Sequence, residues 1–134
     1  LIAQDYKLTI HDVRPDVVYT HFHGDLNSDH RAVAEAVRVA CRPVGGVAPA
    51  RLLAFETPSS TEQEPTSAFV PNVFVDVTAT FDVKRRAMGC YSAELRPAPH
   101  PRNLDQLRAR AAYWGQYAGC MLAEPFVLLR EIVR

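Results

Sequence analysis

Val17-Val18-Tyr19-Thr20-His21-Phe22-His23-Gly24-Asp25-Leu26-Asn27-Ser28-Asp29-His30-Arg31 is the stretch on which the reading of the fold turns. Its first four residues are β-branched or aromatic and suit a short buried strand. Residues 21–28 are polar and contain Gly24, which predicts a loop. From about Asp29 to Cys41 the residues Val33, Val37, Ala40 and Cys41 make one apolar stripe, and Asn27 or Ser28 offers a capping oxygen, which predicts a helix. A strand, a polar loop and a helix in that order are the start of a βαβ unit.

Working outward, Ile2, Tyr6, Ile10 and Val13 form an apolar stripe that predicts a helix over residues 1–14, broken by Arg14-Pro15-Asp16. Downstream, Arg42-Pro43-Val44-Gly45-Gly46 ends the second helix, and residues 51–56 read as another strand. Residues 57–71 are rich in Ser, Thr, Pro and Glu and predict a long loop, of a length that in compact domains is usually functional or mobile. Residues 73–77 predict a strand, 81–93 and 103–119 two helices separated by Arg96-Pro97-Ala98-Pro99-His100-Pro101, and 125–133 a last strand. The expected fold class is α/β, with a mostly parallel sheet covered by helices on both faces. The first element is a helix with no strand before it, so the 134 residues read as one incomplete domain, a βαβ fold cut in half.

Composition narrows the function. Lys plus Arg is 15 and Asp plus Glu is 15, a zero net charge that argues against a nucleic-acid partner. Hydrophobic residues at 48% exclude a disordered chain. No apolar run approaches the roughly 20 residues a membrane span needs. Cys41, Cys90 and Cys120 are odd in number and lack CxxC spacing, which fits a reducing, cytoplasmic setting rather than a disulfide framework or thiolate zinc site.

Three of the five histidines and two aspartates fall between residues 21 and 30. That position, after a strand and before a helix, is where open α/β sheets bind ligands. Imidazole and carboxylate are common zinc ligands, and a carboxylate close to a ligating histidine orients it through the second ring nitrogen. The plainer alternative is a polar loop with solvated histidines.

Asp25-Leu26-Asn27-Ser28-Asp29-His30-Arg31 resembles the second metal motif of the LmbE-like, or PIG-L, de-N-acetylases. In the same order, Phe55-Glu56-Thr57-Pro58-Ser59-Ser60-Thr61-Glu62, the segment from Phe69 to Val77, Lys84, Tyr91-Ser92-Ala93-Glu94, Pro99-His100-Pro101-Arg102 and the stretch from Gly115 to Phe126 resemble later blocks of that family. The resemblance implies a Rossmann-like three-layer α/β/α domain that hydrolyses an acetamido group, usually on an N-acetylglucosamine conjugate, with zinc polarising the amide carbonyl and activating water. It implies His30 as a metal ligand and Asp29 as the neighbouring carboxylate that tunes a catalytic histidine. Some members carry a histidine where this chain has Asn27, whose amide can donate to an oxyanion but cannot relay a proton, so His21 or His23 is the candidate acid. The family's remaining metal ligands and general base lie in a His-Pro-Asp-Asp motif. The one His-Pro of this sequence, His100-Pro101, is followed by Arg102-Asn103, so those ligands are expected from a segment outside it. By itself the chain is then expected to bind zinc weakly, to lack deacetylase activity, and either to aggregate through its uncovered strand and the Ile2, Tyr6 and Ile10 stripe or to pair with a complementary fragment. Two competing readings are a non-catalytic carbohydrate-binding or interaction domain and a hydrolase acting on another amide.

Glu56, Ser59, Ser60 and Thr61, in the long loop, are candidate contacts to sugar hydroxyls, or ordinary turn and cap residues. Arg102 and His100 are candidate contacts to an anionic part of the substrate, or a solvated helix start. Glu124 beside Pro125 reads as a buried structural carboxylate. Tyr113, Trp114 and Tyr117 read as core rather than a sugar platform, and Cys41 as a small hydrophobe.

Overall fold

The computed structural model describes residues 9–44 and 48–134. Most of the helix expected over 1–14, including Ile2 and Tyr6, lies outside the described residues. What is described is a single turn, α1 (Ile10–Val13), closed by a reciprocal capping box between Thr9 and Asp12. It ends at Arg14, whose φ of 48° is left-handed, just before Pro15.

The chain then runs β1 (Val17–His21), α2 (Ser28–Ala40), β2 (Arg51–Phe55), a 3₁₀ turn (Thr61–Gln63), β3 (Val73–Asp76), α3 (Phe81–Gly89), a 3₁₀ turn (Ser92–Glu94), α4 (Leu104–Ala118) and β4 (Ala123–Glu131). The strands form one sheet in the order β1-β2-β4-β3. The chain divides into two compact units, one made of residues up to Val70 together with Val127–Arg134, the other of Pro71–Phe126.

The sheet is mixed and partly parallel, which meets the expectation of a mostly parallel sheet only in part. β1 and β2 are parallel, Val17 opposite Arg51 through His21 opposite Phe55, as a single intervening helix requires. β3 and β4 are antiparallel, Val73 opposite Phe126 through Asp76 opposite Ala123. Two helices, α3 and α4, lie between these strands in the chain.

In the first unit β2 is the better covered strand, with Leu52, Leu53 and Ala54 all buried. β1 is at the sheet edge, so Val17 and Tyr19 are exposed where a fully buried strand was expected, and only Thr20 is buried. α2 presents Ala34, which is buried, and its C-cap Cys41, which is fully buried, to the core; Ala40 is exposed. Burial pushes the Cys41 thiol up, against the pull of the Arg130 charge, so it stays a neutral small hydrophobe. The Arg130 guanidinium donates to the Cys41 carbonyl, satisfying one of the acceptors left at a helix C-terminus.

In the second unit Phe81, Ala111 and Leu122 form a small core, with Val77 and Ala112 packed on it. Gly115 lets the turn after α4 fold back against the helix, since a Cβ there would lie 2.6 Å from the Cys120 carbonyl oxygen. Three expectations change in this unit. The helix expected over 81–93 ends at Gly89. Glu124 is partly exposed and ion-paired with Lys84 rather than buried. Tyr113 and Tyr117 are exposed, not core; their hydroxyls lie 3.2 Å apart, and Tyr117 stacks on Phe74. An i, i+4 aromatic pair reads as a core stripe in sequence, but here Trp114, half-buried one position on, supplies the inward ring.

A carboxylate–histidine candidate site

The loop between β1 and α2 folds back on itself around one carboxylate. Asp25 is fully buried, and four donors converge on it. Its Oδ1 accepts the Asn27 N–H at 2.9 Å, His30 Nδ1 at 3.0 Å and the Ser60 hydroxyl; its Oδ2 accepts the Thr61 hydroxyl at 2.6 Å. Burial by itself would raise the proton affinity of this group. The bonds from Ser60, Thr61, the Asn27 backbone and His30 outweigh that effect and hold the carboxyl below its ordinary value, so it is anionic at neutral pH.

An ionised carboxylate only accepts, so His30 Nδ1 carries the proton on the bond to Asp25. In the neutral ring the lone pair then lies on Nε2. His30 is the third residue of α2, in its first turn, and Asn27, the N-cap, fixes the helix start by accepting the Asp29 N–H at 2.8 Å. The Asp25-x-Asn27-x-Asp29 spacing thus makes two successive turns of the same kind, each side chain accepting the N–H two residues on. Arg31 locks the loop from below, donating to the Asp25 and Leu26 carbonyls at 2.8 and 2.6 Å. Gly24 is tightly enclosed: a Cβ there would meet the Ser67 Oγ at 2.0 Å and the Phe22 ring at 2.7 Å.

His21, at the end of β1, stacks on His30 with ring centroids 4.1 Å apart and planes 3° from parallel, and its Nδ1 is 3.2 Å from the Thr57 hydroxyl. Burial, and then the neighbouring His30, push the His21 pKa below the ordinary histidine value, while Asp25 pulls the other way. The imidazole is therefore favoured neutral in the folded protein. This fixes the sign of a pH dependence: the unfolded chain takes up the proton first, so the His21 contribution to stability is complete above about pH 6.5 and is lost as pH falls through the depressed folded value. Unfolding midpoints measured from pH 7.5 to 5 are expected to fall on acidification, and less steeply in His21→Gln. An equal slope in both proteins would contradict this.

The other expected site residues are distributed unevenly. Asp29 is exposed, and the carboxylate bonded to His30 is Asp25. The reason is geometric: neighbours on a helix point about 100° apart, whereas the loop residue five positions earlier folds back onto the first turn. His23 is exposed, and its ring leans on Phe22. Asn27 is exposed with its oxygen engaged in the cap, so its amide NH₂ is the donor it can offer a ligand. Ser60 is buried and donates to Asp25 rather than facing a rim. Ser59 has a left-handed φ of 72°, and its N–H donates to Glu62 at 2.7 Å. Glu56 is half-buried just after β2. Arg102 belongs to the second unit, where it is ion-paired with Glu94 and its N–H donates to His100 Nδ1 at 3.1 Å.

Sequence reasoning passed over Thr57 and missed the roles of Asp25, Ser60 and Thr61, which are joined across more than thirty positions. Among the described residues no three His, Cys, Asp or Glu side chains come together as a metal-holding group, and no helix is long and apolar enough to cross a membrane.

No protein-family model and no curated protein matches the chain. Its fold is similar to the crystal structure of a conserved protein from Thermus thermophilus, with a TM-score of 0.72 and 23% sequence identity over 93% of this chain and 56% of that one. The chain thus spans a little over half the length of that protein, and at this identity the likeness shows the fold alone.

Proposed function

We propose that the chain is part of a zinc-dependent N-deacetylase that removes the acetyl group from an N-acetylglucosamine-type conjugate, with His30 as one metal ligand. The observation that carries this reading is the His30 ring itself: Nδ1 donates to a buried, anionic Asp25, which leaves Nε2 as the basic nitrogen. That is the arrangement by which proteins fix the tautomer of a metal-ligating histidine and raise its basicity. The resemblance to the LmbE-like and PIG-L family supplies the substrate class, the Rossmann-like three-layer architecture, and the expectation that the other ligands come from a segment outside these residues.

The residues present fit such a metal through the donor chemistry of His30, held by Asp25. The ion would supply Lewis-acid polarisation of the amide carbonyl and a more acidic bound water. Around it, His21, favoured neutral, is set to accept a proton and pass it on, while the Asn27 amide offers a hydrogen-bond donor without a proton to give. Asp29, exposed at the first turn of α2, favours the helix start electrostatically. The three unpaired cysteines agree with a cytoplasmic protein.

The test uses the natural reading frame that contains these residues. Amine release from N-acetylglucosamine conjugates is expected, abolished by a chelator and restored by zinc. Sugar binding without amine release under any divalent metal would replace this reading with the non-catalytic carbohydrate-binding one.

A further inference from the structure

A carboxylate is held in one orientation only when both of its oxygens are engaged, because the terminal torsion of Asp is broad and nearly two-fold. At Asp25 the two oxygens are engaged unequally. Oδ1 takes Asn27, His30 and Ser60, whereas Oδ2 takes Thr61. Thr61 is 2% exposed and lies 36 positions away in sequence, in the 3₁₀ turn of the loop after β2. Its hydroxyl is fully determined: the oxygen accepts the Thr57 N–H at 2.7 Å, and its one proton points to Asp25. The turn that carries it is closed by the Ser60 and Thr61 N–H groups, both donating to the Thr57 carbonyl, at 3.1 and 2.9 Å. The Thr57 hydroxyl in turn reaches His21. One short loop therefore touches both stacked histidines, one directly and one through Asp25.

We propose that Thr61 is a positioning residue for His30, holding the Asp25 carboxylate so that Oδ1 keeps the His30 Nδ1 proton and Nε2 stays proton-free. This deepens the reading of His30 as a ligand and rests on it for its purpose. The coupling itself is a property of the metal-free chain. A merely structural Thr61 would satisfy a buried oxygen and nothing more, and removing it would lower stability without touching the His30 tautomer. A positioning Thr61 changes that tautomer. Without its bond the carboxylate is anchored through Oδ1 alone, its plane is free to tilt about the terminal torsion, and the alignment of Oδ1 with the His30 Nδ1–H is weakened.

The experiment is long-range ¹⁵N–¹H NMR of the histidine rings in the metal-free protein of the natural full reading frame, recorded at alkaline pH. In the wild type the Nδ1–H tautomer of His30 is expected to predominate. In Thr61→Val, close in shape but without the hydroxyl, the Nε2–H fraction should rise several-fold, and Thr61→Ser, which restores the donor, should return it to the wild-type ratio. Thr61→Cys, nearly the same size with a weak S–H donor, serves where the valine variant does not fold, and an intermediate ratio is expected. An unchanged His30 tautomer in a folded Thr61→Val or Thr61→Cys protein would overturn the proposal. Zinc added to the wild type of the natural full reading frame, which holds the remaining expected ligands, reads the ligand hypothesis separately. If zinc perturbs His30 while the tautomer ignores Thr61, the positioning role alone fails. If the tautomer follows Thr61 while zinc leaves His30 untouched, the positioning stands and the ligand reading fails.

Discussion

Asp25→Ala is expected to lower the unfolding free energy by about 3–5 kcal/mol, the range for removing one partner from a buried, hydrogen-bonded charge network. The substitution removes the acceptor for four donors at once: the Asn27 N–H, His30 Nδ1 and the Ser60 and Thr61 hydroxyls. Each stranded buried donor costs roughly 1–3 kcal/mol where water cannot reach it. A domain of this size has only about 5–15 kcal/mol in total, so the variant should sit near the edge of folding. The informative control is Asp29→Ala. Asp29 is exposed and contributes through the helix dipole, worth about 0.3–1 kcal/mol. Urea unfolding of both variants separates the two aspartates. Equal, small losses would mean that the Asp25 network carries no special weight.

How much of this was legible in the sequence varies with the distance between partners. The strand-loop-helix start was readable because β-branched residues, Gly24, the Asn27 cap and the Val33 and Val37 stripe all agree locally, and α2 falls within a residue of the expected bounds. The order of the later elements followed for the same reason. The antiparallel pairing of β3 and β4 was missed because strand direction is set by tertiary pairing and leaves no local signal in the residues. The helix over 81–93 was overextended because Tyr91 to Glu94 has helix-compatible residues that form only a 3₁₀ turn.

At the site, the histidine cluster stood out by composition, and His21 and His30 are brought together. The choice of carboxylate was less legible. Asp29 adjoins His30 in sequence, yet the bond belongs to Asp25, five positions back, through a loop reversal that only the paired Asx turns foreshadow. Ser60 and Thr61 read as rim hydroxyls because their partner lies more than thirty positions away.

The second large effect concerns His30 itself. Replacing a residue that merely supports a metal ligand typically costs 10–100-fold in metal affinity, and losing one of only three protein ligands of a catalytic zinc costs more. The two substitutions should therefore rank: Asp25→Asn weakens zinc by about 10–100-fold, and His30→Ala by more than about 100-fold with loss of amine release. His30→Ala leaves Asp25 with three of its four donors, so the fold should survive well enough to be measured. The direct measurement is zinc affinity and stoichiometry in the natural full reading frame, for the wild type, Asp25→Asn and His30→Ala. Tight zinc in the wild type, weakened zinc in Asp25→Asn and none retained in His30→Ala is the predicted result. One tightly held zinc and undiminished amine release in a folded His30→Ala protein would contradict the account, because the nitrogen that Asp25 holds in place would then have no part in the metal site.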